Sequence, residues 1–140
     1  MSNYLSRILI LLGSIFIFLT LSFNAHGSEA DPIFSMEIKL VTKLGGHNNY
    51  NISSKFGHKS FIGKSIDNNN LEVELYPSLI EKDRVSISIL ISTQDKNNPK
   101  EIIGKANLET EFGYPVSILL DTSKETFGHI ELEIIPRLEL

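Results

Sequence analysis

Three of the four histidines, His47, His58 and His129, follow the N-terminal apolar segment and are the first side chains in this sequence that suggest chemistry. Imidazole is a common metal ligand, and zinc needs three or four ligands within about 2.0–2.3 Å of one point. The spacing does not predict that geometry, because the sequence has no cysteine and no His-x-His or His-Glu-x-x-His motif. We expect surface histidines and no metal or other cofactor. A metal-binding protein or small hydrolase that uses the three histidines is the alternative.

Two pairs of glutamates, Glu72/Glu74 and Glu131/Glu133, are the second candidate for chemistry. On a strand, the i, i+2 spacing places two carboxylates on one face about 7 Å apart, a separation that a glycosidase can use. Both pairs alternate with apolar residues and tryptophan is absent, so the pattern indicates a solvated face. Neither a cysteine nucleophile nor a Gly-x-Ser-x-Gly motif is present. The sequence therefore predicts a protein that is not an enzyme.

The elements that would hold these side chains read as β strands. Apolar and polar residues alternate in several short segments, and clusters of Gly, Asn, Asp and Pro separate them. This pattern predicts an all-β fold, an antiparallel β-sandwich of about eight strands. The predicted strands lie near residues 34–43, 50–55, 59–66, 70–76, 83–93, 101–109, 115–121 and 129–136. Residues 79–82 are predicted as a connection between strands, with a tight helical turn as the alternative.

An internal repeat relates the two halves of the chain. Residues 51–62 align with residues 107–118, and residues 71–79 align with residues 130–138. The first pair of segments shares Phe-Gly, and the second shares Glu-x-Glu followed by proline. The sequence therefore predicts two related hairpin units, at about residues 51–79 and 107–138.

The residues shared by the two units predict particular backbone conformations. In Phe56-Gly57 and Phe112-Gly113, the glycine is predicted to supply a positive φ or a bulge where the chain enters the next strand. Pro77 and Pro136 are predicted to mark where strand pairing ends, because proline cannot donate to a sheet ladder.

A third Phe-Gly, Phe127-Gly128-His129, lies in a connection that is longer in the second unit than in the first. Since this insertion breaks the repeat, we predict that the loop of residues 121–128 contacts a partner, with Phe127 as an apolar anchor. An exposed sheet edge is a second way in which a small β domain recognises another protein. The predicted contact residues are Lys124, Glu125, Thr126, Phe127 and His129.

The N-terminal segment has the order of a secretory signal peptide. Arg7 precedes an apolar run over residues 8–23, and the small residues Ala25 and Gly27 precede a cleavage position before Ser28. The run is shorter than the roughly 20 residues of a spanning helix. The sequence predicts a signal peptide at residues 1–27 and a single all-β domain at residues 28–140, exported to the periplasm or outside the cell. An uncleaved membrane anchor is the alternative.

Charge narrows the choice of partner. The formal net charge is −4 and charges of both signs are interspersed, so no basic patch is predicted to bind nucleic acid or an anionic membrane. A membrane association is expected only if the N-terminal segment stays uncleaved. The expected partner is another envelope or secreted protein.

The segment from residue 55 to residue 92 runs from Phe-Gly through an apolar strand, Gly63-Lys64, a turn and Leu-Glu-Val-Glu-Leu-Tyr-Pro to a second alternating strand. This order resembles the β-hairpin pattern of bacterial secretins and related small exported β domains. The chain is too short for a secretin pore. The resemblance implies a small exported β module that assists an envelope assembly, and it carries over no catalytic residues.

Overall fold

The computed structural model of the chain describes residues 32–139, which form eight β strands and no helix. This part of the chain therefore contains no helix that is long and apolar enough to cross a membrane. The predicted signal peptide, residues 1–27, lies outside the described range. The strands are β1 (Ile33–Thr42), β2 (Gly46–Lys55), β3 (Ser60–Ile66), β4 (Asn69–Glu81), β5 (Arg84–Asp95), β6 (Glu101–Glu111), β7 (Val116–Asp121) and β8 (His129–Leu138).

The strands form two four-stranded antiparallel sheets, which confirms the predicted all-β class. The first sheet has the order β2-β1-β8-β7, and the second has the order β3-β4-β5-β6. Alternate residues of the central strands are buried in one hydrophobic cluster to which both sheets contribute, so the arrangement is sandwich-like. Full burial of each large aliphatic side chain contributes about 1.5–3 kcal/mol.

Tight turns set the hairpin registers. The β3–β4 turn is Asp67-Asn68, with φ of 48° and 65°, as a two-residue type I′ turn requires. The β4–β5 turn is Lys82-Asp83, because β4 continues through Glu81. Residues 79–81, predicted as a connection, therefore belong to a strand, and the helical alternative does not form.

The chain crosses from one sheet to the other at two corners, and each corner is a Phe-Gly. Gly57 has a φ of 76° and donates its N–H to the carbonyl of Pro77 at 2.8 Å; Gly113 has a φ of 87° and donates to Pro136 at 2.6 Å. An L-residue adopts such angles only with strain. These geometries confirm the positive φ predicted for both glycines.

The two prolines lie where one ladder ends. Pairing of β3 with β4 stops at Leu75, and pairing of β7 with β8 stops at Ile134. Each position is two residues before a proline, whose carbonyl then accepts the bond from the corner glycine. Pairing of Pro77 with β5 and of Pro136 with β1 continues on the other side.

The corner phenylalanines close one end of the core. The ring of Phe56 stacks on Phe34 with centroids 4.5 Å apart, and Phe112 meets these two rings edge-on at 6.1 and 6.5 Å. Both arrangements are favoured by the quadrupoles of the rings. The repeated Phe-Gly is therefore a structural corner.

Strand pairing is alike in the two halves of the described domain. Met36 of β1 lies between Ile52 and Pro136, and Ile87 of β5 lies between Leu108 and Pro77. Ile52 aligns with Leu108 in the sequence repeat, and Pro77 aligns with Pro136. Strands β1 to β4 are therefore connected and paired in the same way as strands β5 to β8.

Candidate functional site

The loop predicted to contact a partner, residues 121–128, begins at the last residue of β7, and its remaining residues form an ordered turn before β8. The Thr122 hydroxyl accepts a bond from the Lys124 N–H at 2.8 Å, and the Lys124 carbonyl accepts bonds from Phe127 and Gly128 at 3.0 and 2.9 Å. The Lys43 N–H donates to the Phe127 carbonyl at 3.0 Å. These bonds fix the loop against the β1–β2 turn.

The polar residues of the loop also hold it to its neighbours. The ammonium of Lys124 lies 2.9 Å from a carboxylate oxygen of Glu101, and this hydrogen bond raises the pKa of Lys124. The Thr126 hydroxyl accepts a bond from Asn69 at 3.4 Å. Glu125 is exposed. Two of the predicted contact residues are thus engaged within the domain.

Phe127, the predicted apolar anchor, lies inside the core with 1% of its surface exposed. Its ring closes the core at the end opposite the Phe-Gly corners, so it is not presented to a partner. The sequence favoured exposure because the residue lies in an insertion; the fold buries it because the loop folds back over the open end of the two sheets. We assign Phe127 a structural role.

The three histidines are placed apart. His58 follows the first Phe-Gly corner, whereas His47 is the second residue of β2 and His129 is the first residue of β8, both at the opposite end. β1 separates those two strands, so they lie about 10 Å apart. His129 contacts Asp121 through its Nδ1, and both side chains are exposed. No three His, Asp or Glu side chains among residues 32–139 are grouped so that they could hold a metal ion.

The carboxylate pairs lie on opposite outer faces of the domain. Glu72 and Glu74 are on the second sheet, where each forms an ion pair, Glu72 with Lys100 and Glu74 with Lys59. Glu131 and Glu133 are on the first sheet. The two pairs therefore cannot contribute to one site.

The sheet edges differ in how they are protected. Exposed edges pair readily with other chains unless charge, bulges or covering groups prevent it. Between β2 and β3, the Tyr50 hydroxyl donates to the Gly63 carbonyl at 3.1 Å, and the Lys64 ammonium donates to Asn48 at 2.8 Å. On β6, a register shift opposite Ile91–Ser92 and a series of exposed charged side chains interrupt the edge; the charged side chains are Glu101, Lys105, Glu109 and Glu111.

Among the described residues, β7 shows no register shift and receives no side-chain hydrogen bond on its edge, and its one charged residue, Asp121, is the last of the strand. Its residues from Val116 to Leu120 are uncharged, and the Leu119 side chain is 68% exposed. Among residues 32–139, β7 pairs with β8 alone. Among the described edge strands, β7 is therefore less protected than β3 and β6.

The free backbone groups of β7 can be identified from the corner. Because Gly113 donates to the Pro136 carbonyl, Pro136 and every second residue of β8 before it point toward β7. Their partners on β7, Val116, Ile118 and Leu120, use their backbone groups in this ladder. The intervening residues direct N–H and C=O away from the sheet; these residues are Ser117, Leu119 and Asp121.

Sequence reasoning named a sheet edge as a contact but did not identify the strand. The available signal was the uncharged run over residues 116–120. That run becomes an edge only through the order of the strands, which the sequence does not give.

Comparison with protein-family models, with curated proteins and with solved structures finds no match to this chain. The resemblance to secretin hairpins stays an expectation from the sequence.

Proposed function

We propose that this chain is an exported, non-enzymatic interaction module that recognises an extended segment of another envelope or secreted protein. The segment would add to the first sheet as a strand along β7, a general mode of peptide recognition. The observation that carries the proposal is the unprotected edge formed by Ser117, Leu119 and Asp121.

We further propose that the domain is a β-sandwich built by duplication of a four-stranded unit. The support is that β1 and β5 pair with their own neighbours in matching registers, that both corners are Phe-Gly, and that a proline carbonyl accepts a bond at each corner. Because the two units correspond position by position, each edge strand of one unit can be compared with the matching edge strand of the other.

That comparison favours β7 as the binding edge. Tyr50 pairs with Ile38 on β1, and the residue in the same place on β6 is Ala106, which pairs with Ile89. In the first unit, the Tyr50 hydroxyl donates a hydrogen bond to the Gly63 carbonyl. The corresponding carbonyl of the second unit is that of Leu119, and alanine has no hydroxyl that could bond to it. The second unit therefore leaves open an edge that the first unit closes.

The free energy available from backbone hydrogen bonds indicates that the partner must also contribute side-chain contacts. Three edge-facing residues offer about six backbone hydrogen bonds, each contributing roughly 0.5–1.5 kcal/mol net, or about 3–9 kcal/mol in all. Ordering an extended peptide opposes part of this gain. Micromolar affinity corresponds to about 8 kcal/mol, so the partner also needs an apolar side chain against Leu119.

Photocrosslinking in cells that export the protein tests the proposal. A photoreactive residue at position 117, on the outer face of β7, is expected to capture a discrete partner. The same residue at position 51, on the outer face of the opposite edge strand β2, is the matched control and is expected to capture none.

Two substitutions separate backbone from side chain. Leu119→Pro removes one edge-facing N–H and leaves the β8 ladder intact, so it is expected to abolish the adduct from position 117. Leu119→Ala keeps the N–H and is expected to weaken the adduct. An adduct that survives Leu119→Pro, or equal capture from position 51, would contradict strand addition.

Export is tested separately by the mass of the purified chain. Cleavage before Ser28 is expected, and a chain that starts at Met1 would support the anchored alternative.

A further inference from the structure

A cleft of about 450 Å³ lies on the outer face of the second sheet, across β3, β4 and β5. It exists because Gly63 has no side chain, which leaves a gap on the outer face between Phe61 and Ser65. Glu72 lies beside Gly63, and Ser92 lies beside Glu72 on the next strand. The β5–β6 loop contributes Lys100 to the rim.

The fold alone does not produce the cleft, because the corresponding positions of the first sheet carry larger side chains. Leu119 takes the place of Gly63 on the first sheet, where it pairs with Glu131, and Val41 takes the place of Ser92. These larger side chains occupy the corresponding space.

The backbone does not require glycine at position 63 either. Gly63 is not among the residues with positive φ, and an added Cβ would approach the Leu71 carbonyl no closer than 3.4 Å. The missing side chain therefore has its main effect on the shape of the outer face.

The lining combines an apolar wall with hydrogen-bonding groups of both charges. Phe61 forms the apolar wall. It is a large apolar residue on the outer face, and it is 53% exposed. The carboxylate of Glu72 and the ammonium of Lys100 form an ion pair, and the ammonium of Lys64, which also lines the cleft, donates to Gly45 and Asn48. The cleft therefore offers both acceptors and donors. The amides of Asn70 and Gln94 add further donors and acceptors.

This combination selects the chemistry of the ligand. An anion such as phosphate would meet Glu72 and would have to displace it from Lys100, and a lipid chain would leave the polar groups unpaired. A sugar ring has an apolar face of C–H groups for Phe61 and a rim of hydroxyls for the polar side chains. We propose that this cleft binds a neutral hexopyranose unit of a glycan.

NMR titration of the isotope-labelled chain of residues 28–140 tests this proposal. The probes are maltohexaose, cellohexaose and chitohexaose at millimolar concentration. At least one is expected to cause saturable shifts of the amides of Phe61, Gly63, Glu72 and Ser92. If none does, or if the saturable shifts lie elsewhere, the proposal is wrong.

Variants assign the binding to the cleft. Gly63→Val fills the gap and Phe61→Ala removes the apolar wall, and each is expected to weaken the affinity by about tenfold or more, equivalent to about 1.4 kcal/mol. Tyr114→Ala, which removes an exposed aromatic side chain outside the cleft, is expected to leave it unchanged. Unaltered affinity in Gly63→Val, with the fold verified by circular dichroism, would overturn the proposal. Because Leu119→Pro tests the β7 edge alone, the two proposals can fail independently.

Discussion

The corner glycines allow a stability prediction that depends on backbone conformation alone. At Gly113, with a φ of 87°, an added Cβ would meet nothing within 4 Å; at Gly57, with a φ of 76°, the nearest atom would be the Tyr76 hydroxyl oxygen at 3.9 Å. Alanine at either corner therefore causes no clash. Its effect is the strain of holding an L-residue at positive φ, roughly 1–2 kcal/mol.

The loss of chain entropy in the unfolded state offsets part of that strain. Replacing glycine by alanine stabilises by about 0.4–1 kcal/mol through this effect, which leaves a net destabilisation of about 1 kcal/mol for Gly57→Ala and for Gly113→Ala. For a domain of this size, that corresponds to a melting temperature lower by roughly 4–6 °C. The Phe56 and Phe112 rings are in contact, so the double variant also reports coupling between the corners.

Urea unfolding of residues 28–140, followed by circular dichroism, measures these changes. Gly63→Ala is the matched control, since Gly63 lies in a strand at ordinary φ, where alanine is expected to be neutral or stabilising by roughly 0.5–1 kcal/mol. If both corner variants stay within about 0.5 kcal/mol of the parent, the range typical of neutral surface changes, the conformational reading of the Phe-Gly repeat is refuted. A control that loses as much as the corner variants would refute it equally.

Three further predictions follow from buried and loop contacts. Phe127→Ala is expected to lower the free energy of unfolding by about 3–5 kcal/mol, as for other buried phenylalanines, while the exposed Phe61→Ala stays within about 0.5 kcal/mol; equal losses in urea unfolding would contradict the burial of Phe127. The Asp95 carboxylate accepts bonds from the Asn98 side chain and from the Asn97 and Asn98 N–H groups, which hold its pKa below the ordinary 3.8. A lowered pKa stabilises the folded loop above pH 3.8 and loses that effect as pH falls through the folded value, so an NMR titration should show Asp95 protonating below 3.8, and a midpoint at or above 3.8 would argue against these bonds. Tyr50→Phe is expected to cost less than about 1.5 kcal/mol but to speed hydrogen exchange along β3; unchanged exchange would show that the Tyr50 hydroxyl does not protect that edge.

The sequence predicted most of the local structure because alternation, turn residues and the repeat are local signals. The eight strands, the conformation of both corner glycines and the role of the two prolines are found in the structure. These features depend on which residues are apolar and on which residues tolerate positive φ.

The misplaced features depend on contacts between distant segments. Phe127 looked like a surface anchor because it lies in an insertion, yet it is buried once the β7–β8 loop covers the end of the core. The exposed position of β7 and the cleft at Gly63 both depend on strand order and on the pairing of β3 with β4. A single sequence does not specify either.

Amide hydrogen exchange along β7 tests strand addition most directly. In the free domain, the amides of Val116, Ile118 and Leu120 should be protected by β8, and those of Ser117, Leu119 and Asp121 should exchange rapidly. In the complex with the captured partner, the second set should become protected as well. Rapid exchange of the Leu119 amide in that complex, or its protection in the free monomer, would contradict the account.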